Sequence, residues 1–184
     1  MELNIKASIA AHRHAIDSVE SIAPVILGVV QLLKTTFAAG GRVFACGNGG
    51  SAADAQHFTS EFTGRYEKDR RAYPAIALTT DTSALTAICN DYGYAHVFAR
   101  QLEALARAGD VLVALSTSGN SANVVAAVEY ARKHKITTVG LLGRDGGKLL
   151  PLVDHALVIP ASGTARIQEA HILILHLLCE AFEE

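Results

Sequence analysis

The sequence lacks several features that would place it in whole classes of protein. Its three cysteines, Cys46, Cys89 and Cys179, lie far apart and form no CxxC pair, which excludes a zinc ribbon or a dithiol redox motif and reads as reduced core residues of a cytoplasmic protein. It has no excess of either charge: 16 Lys and Arg against 18 Asp and Glu leave a net charge of −2. That balance argues against nucleic acid or an anionic membrane as the main partner. No apolar run is long enough to span a bilayer. The longest, Ile172 to Cys179, is interrupted by His176. The N-terminal stretch MELNIKASIAAHRHAID is charged and helical in pattern, with no signal-peptide layout. Internal repeats, low-complexity segments and linkers are absent as well, so 184 residues are read as one domain, 1–184.

What is present is apolar and ordered. Half the residues are hydrophobic, which is rich for a lone subunit and points to apolar surface shared between copies. Leu3, Ile5, Ile9, Ile16 and Val19 fall at helical spacing. Pro24 suits the first turn of a second helix, which ends at Gly40-Gly41. These helices, within residues 1–40, precede the first strand and are expected to pack in an oligomer. Beyond them, over 41–184, strands alternate with helices. Strands are expected at Val43–Cys46, Pro74–Leu78, Val111–Leu115, Thr137–Leu142 and Ala156–Ile159. Helices are expected after the first glycine loop and at Ala84–Cys89, His96–Ala108, Ala122–Lys133 and Ala165–Phe182. This alternation specifies an α/β fold: a five-stranded parallel sheet flanked by helices on both faces, with an extra N-terminal helical pair.

In such sheets ligands bind at the carboxyl ends of the strands. Two loops fall there. The first, Gly47-Asn48-Gly49-Gly50-Ser51, leads from a strand into a helix, whose first N–H groups are free to meet negative charge. It fits a relaxed dinucleotide pattern, but the acid that would hold a ribose is missing at the end of the second strand; Asp81 is too far along. The second loop, Ser116-Thr117-Ser118-Gly119-Asn120-Ser121, packs hydroxyls at a helix start. Plain capping needs one of them, Ser118 or Ser121. Three hydroxyls in a row plus Ser121 point to a phosphate held without lysine.

His57 and Glu61 stand four residues apart and share a helix face. They form a solvated pair, two metal ligands, or a base and its partner. The last helix is apolar nearly all round, so Gln168 and His176 need partners there, and a satisfied core histidine is the ordinary reading of His176. The two lie on one face but roughly 12 Å apart along the axis. His171 is rotated off their face and ranks below His176. Gly64 to Arg71 is either a solvated charged loop or an electrostatic rim that attracts an anionic substrate.

Taken in order, CGNGGSAADAQHFTSEFTGRY, YPAIAL, NDYG, GDVLVALSTSGNSANV, GRDGGK and RIQEAHILILH resemble the sedoheptulose-7-phosphate isomerase (phosphoheptose isomerase) family of the sugar isomerase (SIS) domain superfamily, over nearly the whole chain. The resemblance implies aldose–ketose isomerisation of sedoheptulose 7-phosphate to D-glycero-D-manno-heptose 7-phosphate, at the start of bacterial heptose synthesis for lipopolysaccharide. It implies a cytoplasmic homotetramer with active sites at subunit interfaces and one Zn2+ per subunit. Matching motif positions gives His57, Glu61, Gln168 and His176 as zinc ligands. Substrate contacts would be Asn48, Gly49, Gly50, Ser51, Glu61, Asn90, Asp91, Ser116, Thr117, Ser118, Ser121 and Gln168. Glu61 would be the base and His176 the acid. Ala165 stands where some of these isomerases carry an aspartate. A related tetrameric adaptor that binds the replication initiator shares several motifs, but lacks the acid/base pair that Glu61 and His176 supply here.

Overall fold

The structure, a computed structural model, describes residues 4–183; the expected helical position Leu3 lies outside them. Five short apolar runs form one parallel sheet: β1 (Val43–Cys46), β2 (Ala75–Ala77), β3 (Val111–Ser116), β4 (Thr137–Gly143) and β5 (His155–Ile159), in the order β2-β1-β3-β4-β5. β1 and β3 are buried at every position, as expected for strands covered on both faces. The chain leaves β1 toward β2 on one side and β3 lies on the other, so the sheet reverses its order between β1 and β3. That is where a crevice opens in an α/β sheet.

Helices α1 (Ile5–Ser21), α2 (Ala23–Ala38), α3 (Gly50–Thr63) and α7 (Thr164–Glu180) cover one face. Their apolar stripes, including Val29, Leu33, Phe58, Phe62, Ile174 and Leu178, meet the side chains of Val43, Val111, Val113 and Leu141. On the other face α5 (Ala99–Leu105) and α6 (Ala122–Lys133) bury Leu102, Val124 and Val128 against Phe44, Leu112 and Leu142. The odd and even positions of the central strands thus feed two separate cores, a direct consequence of the period-2 alternation of a strand. α1 packs on α7 and α2 on β5, so the N-terminal pair is part of this chain's own layer. Its outer side chains Ile5, Ile9 and Leu27 remain exposed.

Four expectations need correction. The helix α4 runs Thr82–Tyr92, longer than the expected Ala84–Cys89, because the Asp81 carboxylate accepts from Ala84 N–H and starts it earlier. Asn90 and Asp91 therefore lie on a helix rather than in a loop. The expected helix over His96–Ala108 divides into a 3-10 turn, Tyr94–His96, and α5, which ends at Leu105. Cys89 is exposed on α4, no residue of which is buried, while Cys46 and Cys179 are core residues as expected. The segment Gly64–Arg71 is not simply a solvated rim. Arg70 donates to the carbonyls of Glu61 and Phe62 at the end of α3, and Glu183 accepts from the N–H groups of Glu67 and Lys68.

Candidate active site

The site is built where α3 and α7 run side by side from the carboxyl edge of the sheet. α3 begins in the tight turn after β1. Gly49, at φ +57, occupies the left-handed region at its N-cap, and no side chain caps the helix. Gly50 is needed for a different reason. A Cβ there would lie 2.6 Å from Gln168 Nε2 and 2.8 Å from its Oε1. Glycine is what allows the Gln168 amide of α7 to lie flat against the start of α3.

Two turns further along, three titratable side chains meet. His57 Nε2 lies 3.1 Å from Glu61 Oε1 and 3.2 Å from His176 Nε2. The imidazoles of His57 and His176 are tilted at 59° with centroids 5.0 Å apart, and the ring of Tyr66 lies 5.7 Å from that of His176. Glu61 is mostly buried and His57 about half. One nitrogen therefore faces two partners. If it carries hydrogen, one N–H is divided between a carboxylate and an imidazole. If it does not, its lone pair faces the carboxylate oxygen. Such crowding of acceptor atoms is relieved by a proton or by a cation.

The spacing also tests the expected metal. Ligands about 2.0–2.1 Å from a tetrahedral zinc stand roughly 3.3 Å from one another, close to both observed separations. The donor set, two imidazole nitrogens and a carboxylate, suits zinc. Both short contacts radiate from His57, however, and the described residues hold no closed group of three or more His, Cys, Asp or Glu. No hydrogen bond joins Gln168 to the other three among the described residues; its amide rests against Gly50, about 10 Å along α3 from the His57 backbone. Three of the expected ligands are gathered, and the fourth rests against the start of α3.

The second loop closes the crevice from β3. Ser116 and Ser121 place their hydroxyl oxygens 3.1 Å apart, so Ser121 does not cap α6 with its side chain. That removes the ordinary capping reading of Ser121. Ser118 Oγ accepts from Asn120 N–H, and the loop is braced from outside by the next one. Asn120 Oδ1 accepts from Lys148 N–H, and any Cβ at Gly119 would collide with Gly146 O at 2.0 Å. The Thr117 side chain is half-buried. The result is a rigid cup of hydroxyls and backbone around the start of α6, suited to an oxyanion.

Asn48 spans the crevice between the two loops. Its Nδ2 donates to Asn123 Oδ1 at 2.9 Å, and its Oδ1 accepts from Asn123 Nδ2 at 2.8 Å and from Tyr94 Oη at 2.9 Å. Asn123 and Tyr94 escaped sequence reasoning. A buried asparagine in the first turn of α6 was the available signal for the first; nothing local marks the second. Asn90 and Asp91 are exposed, with Asn90 Nδ2 donating to Asp91 Oδ1, and no hydrogen bond ties them to the crevice among the described residues. Ala165 is exposed in the first turn of α7, and its neighbour Arg166 turns away to Ser8 O and Glu169. His171 is fully buried, with Nε2–H donating to Leu142 O. Burial pushes its pKa from the ordinary 6.5 down to about 4, so it is a neutral core histidine outside the site. Asp54, one turn before His57, has its pKa raised by burial, and its Oδ2 is buried without a partner.

Known proteins share this fold. The SIS domain family matches residues 9–143. A phosphoheptose isomerase of Helicobacter pylori (strain Shi470) is 53% identical over 97% of this chain and 94% of its own length. The solved phosphoheptose isomerase of Neisseria gonorrhoeae superposes with a TM-score of 0.90 at 48% identity, covering 96% of this chain and 95% of that one. That of Francisella tularensis gives 0.89 at 37% identity, over 97% and 93%. With a site of this composition and relatives this similar over nearly the whole length, the chain belongs to the phosphoheptose isomerase family of SIS-domain proteins.

Proposed function

We propose that the chain interconverts sedoheptulose 7-phosphate and D-glycero-D-manno-heptose 7-phosphate through an enediol(ate). The observation that carries this reading is the meeting of Glu61 and His176 on either side of His57 Nε2. Isomerisation removes a proton from the carbon beside a carbonyl and returns it to the neighbouring carbon. Glu61, mostly buried, is suited to move that proton. His176 serves the substrate oxygens, donating as one becomes a hydroxyl and accepting as the other becomes a carbonyl. The cup of Ser116, Thr117, Ser118 and Ser121 holds the 7-phosphate. Asn48, Gly49, Gly50, Ser51 and Gln168 line the sugar between that anchor and the reacting carbons. Fixing both ends brings the carbon-one proton of the ketose to Glu61, from where it is returned to carbon two; such positioning is where much of the acceleration arises. Asn90 and Asp91 join the site only with a movement of α4 or from a second copy.

His57, Glu61 and His176 would hold a zinc ion, with Gln168 as fourth ligand once its amide swings along the groove. Such an ion supplies Lewis-acid stabilisation of the developing oxyanion. Glu61 would serve both as a ligand of that ion and as the base, two roles that would compete for the same carboxylate. We place the enzyme in the cytoplasm as a homotetramer whose subunits meet beside the crevice.

Turnover of sedoheptulose 7-phosphate in deuterated water, followed by NMR, tests the reading. The aldose should appear with deuterium at carbon two. Absence of both product and label would sink it. Glu61→Gln should retain bound zinc at reduced occupancy and lose turnover by about a hundredfold or more; near-normal turnover with zinc retained would remove Glu61 as the base.

A further inference from the structure

Tyr94 is more than half exposed, at 56%, so packing alone does not hold its ring. Its hydroxyl nevertheless reaches Asn48 Oδ1 at 2.9 Å, across from the 3-10 turn to the loop after β1. The direction of every bond around it follows from one backbone group. Val124 N–H in the first turn of α6 is shared between Ser121 O and Asn123 Oδ1, each at 3.0 Å, and a side-chain amine facing that N–H would oppose it, so that atom is the oxygen. Asn123 Oδ1 must then accept from Asn48 Nδ2, and Asn123 Nδ2 must donate to Asn48 Oδ1. Tyr94 can only donate. Asn48 Oδ1 thereby has both lone pairs engaged, and Nδ2 has one hydrogen engaged and one without a partner among the described residues.

We infer that Tyr94 is a positioning residue of the sugar-phosphate crevice: through its hydroxyl it completes the locking of the Asn48 amide, so that Asn48 presents one N–H donor, and no acceptor, to an oxygen of the substrate. This rests on the isomerase reading and deepens it. Asn123, 3% exposed and anchored in α6, holds one side of the amide. Tyr94 holds the other from the segment that follows α4, so its hydrogen bond ties the α4 edge of the molecule to Asn48. A substrate atom opposite Asn48 must accept a hydrogen bond, as a hydroxyl, carbonyl or phosphate oxygen does; an ammonium at that place meets a like donor and is rejected.

The test is a cycle of Tyr94→Phe, Asn48→Ala and the double variant, assayed with sedoheptulose 7-phosphate. Tyr94→Phe keeps the ring and removes one neutral hydrogen bond, so kcat/KM should fall about three- to tenfold, chiefly through KM. In the Asn48→Ala background the same change should have no further effect. An unchanged kcat/KM in the otherwise native protein, or an equal loss in both backgrounds, overturns the inference. A second readout does not depend on turnover. In protein labelled with 15N-asparagine, the Asn48 side-chain amide resonances should move on Tyr94→Phe and on adding sedoheptulose 7-phosphate to the unsubstituted protein. Resonances indifferent to either change overturn the inference even if isomerase activity is present. A wild-type chain without turnover whose Asn48 amide still responds to both leaves Tyr94 in place and removes the isomerase reading alone.

Discussion

Gly50 shows how much one atom decides. The Gln168 amide occupies the space that any Cβ at Gly50 would claim. Gly50→Ala should therefore leave the fold intact but displace Gln168, lowering kcat/KM at least about tenfold, since small misplacements in an oriented site are costly. Matching circular dichroism together with a steady-state assay checks this, and unaltered kinetics would show that Gln168 has no fixed role. At the same scale, His171 makes a stability prediction. Its pKa is lowered from 6.5 to about 4, so between those values the unfolded chain binds the proton and the folded chain does not. Stability is complete above pH 6.5 and falls as pH drops toward 4, by up to about 3 kcal/mol, with no further loss from this group below that. Urea titrations across this window should show the slope, and His171→Gln should flatten it.

At the scale of elements, the segment after α3 is held by its own charges. Glu183 receives the N–H groups of Glu67 and Lys68, with Arg70 Nε 3.5 Å from its Oε1. The Lys68 N–H, first of all, and then these neighbours hold its carboxyl below the ordinary 4.5. A lowered carboxyl pKa stabilises the fold above pH 4.5, and this contribution disappears as pH falls through the lower folded value. Tyr66, which lies against His176, belongs to the same segment. Glu183→Ala should therefore loosen the loop at neutral pH, seen as faster amide exchange at Glu67 and Lys68, and weaken turnover severalfold through His176. Protection of those amides equal to the native protein's would refute the clamp. The charge run Gly64–Arg71 was legible in the sequence, but not its partners. Glu183 lies 115 residues beyond Lys68, and no local pattern connects them.

For the whole molecule, the proposed tetramer has a visible substrate in exposed Ile5, Ile9 and Leu27 on the outer side of α1 and α2, and in an α4 without one buried residue. Light scattering should report four chains, and Leu27→Glu, which places a charge at a side chain 68% exposed in the single chain, should shift that mass downward if α2 forms the contact. Metal analysis of the purified protein should give about one zinc per chain, with His57→Ala removing it. A monomer, or full zinc after that substitution, would count against the assembly or the ligand set respectively.

The sequence by itself determined the alternation of elements, the parallel sheet and the two strand-end loops, because apolar periodicity, glycines and capping residues act within a few positions of one another. It also supplied, by ordered motifs, the residues expected at the site, though not Asn123 or Tyr94. Only the tertiary structure decided how they meet. His57 and His176 are 119 residues apart in sequence and touch because α3 and α7 pack on the same face of the sheet. Asn48 and Asn123, 75 apart, pair because β1 and β3 are neighbours at the sheet's reversal. The exposure of Cys89, the capping of α3 by Arg70 and the burial of His171 were settled in the same way. Local propensity specifies which way a side chain leaves its own helix or strand. What it encounters there depends on the crossing and register of elements distant in the chain, a property of the packed layers.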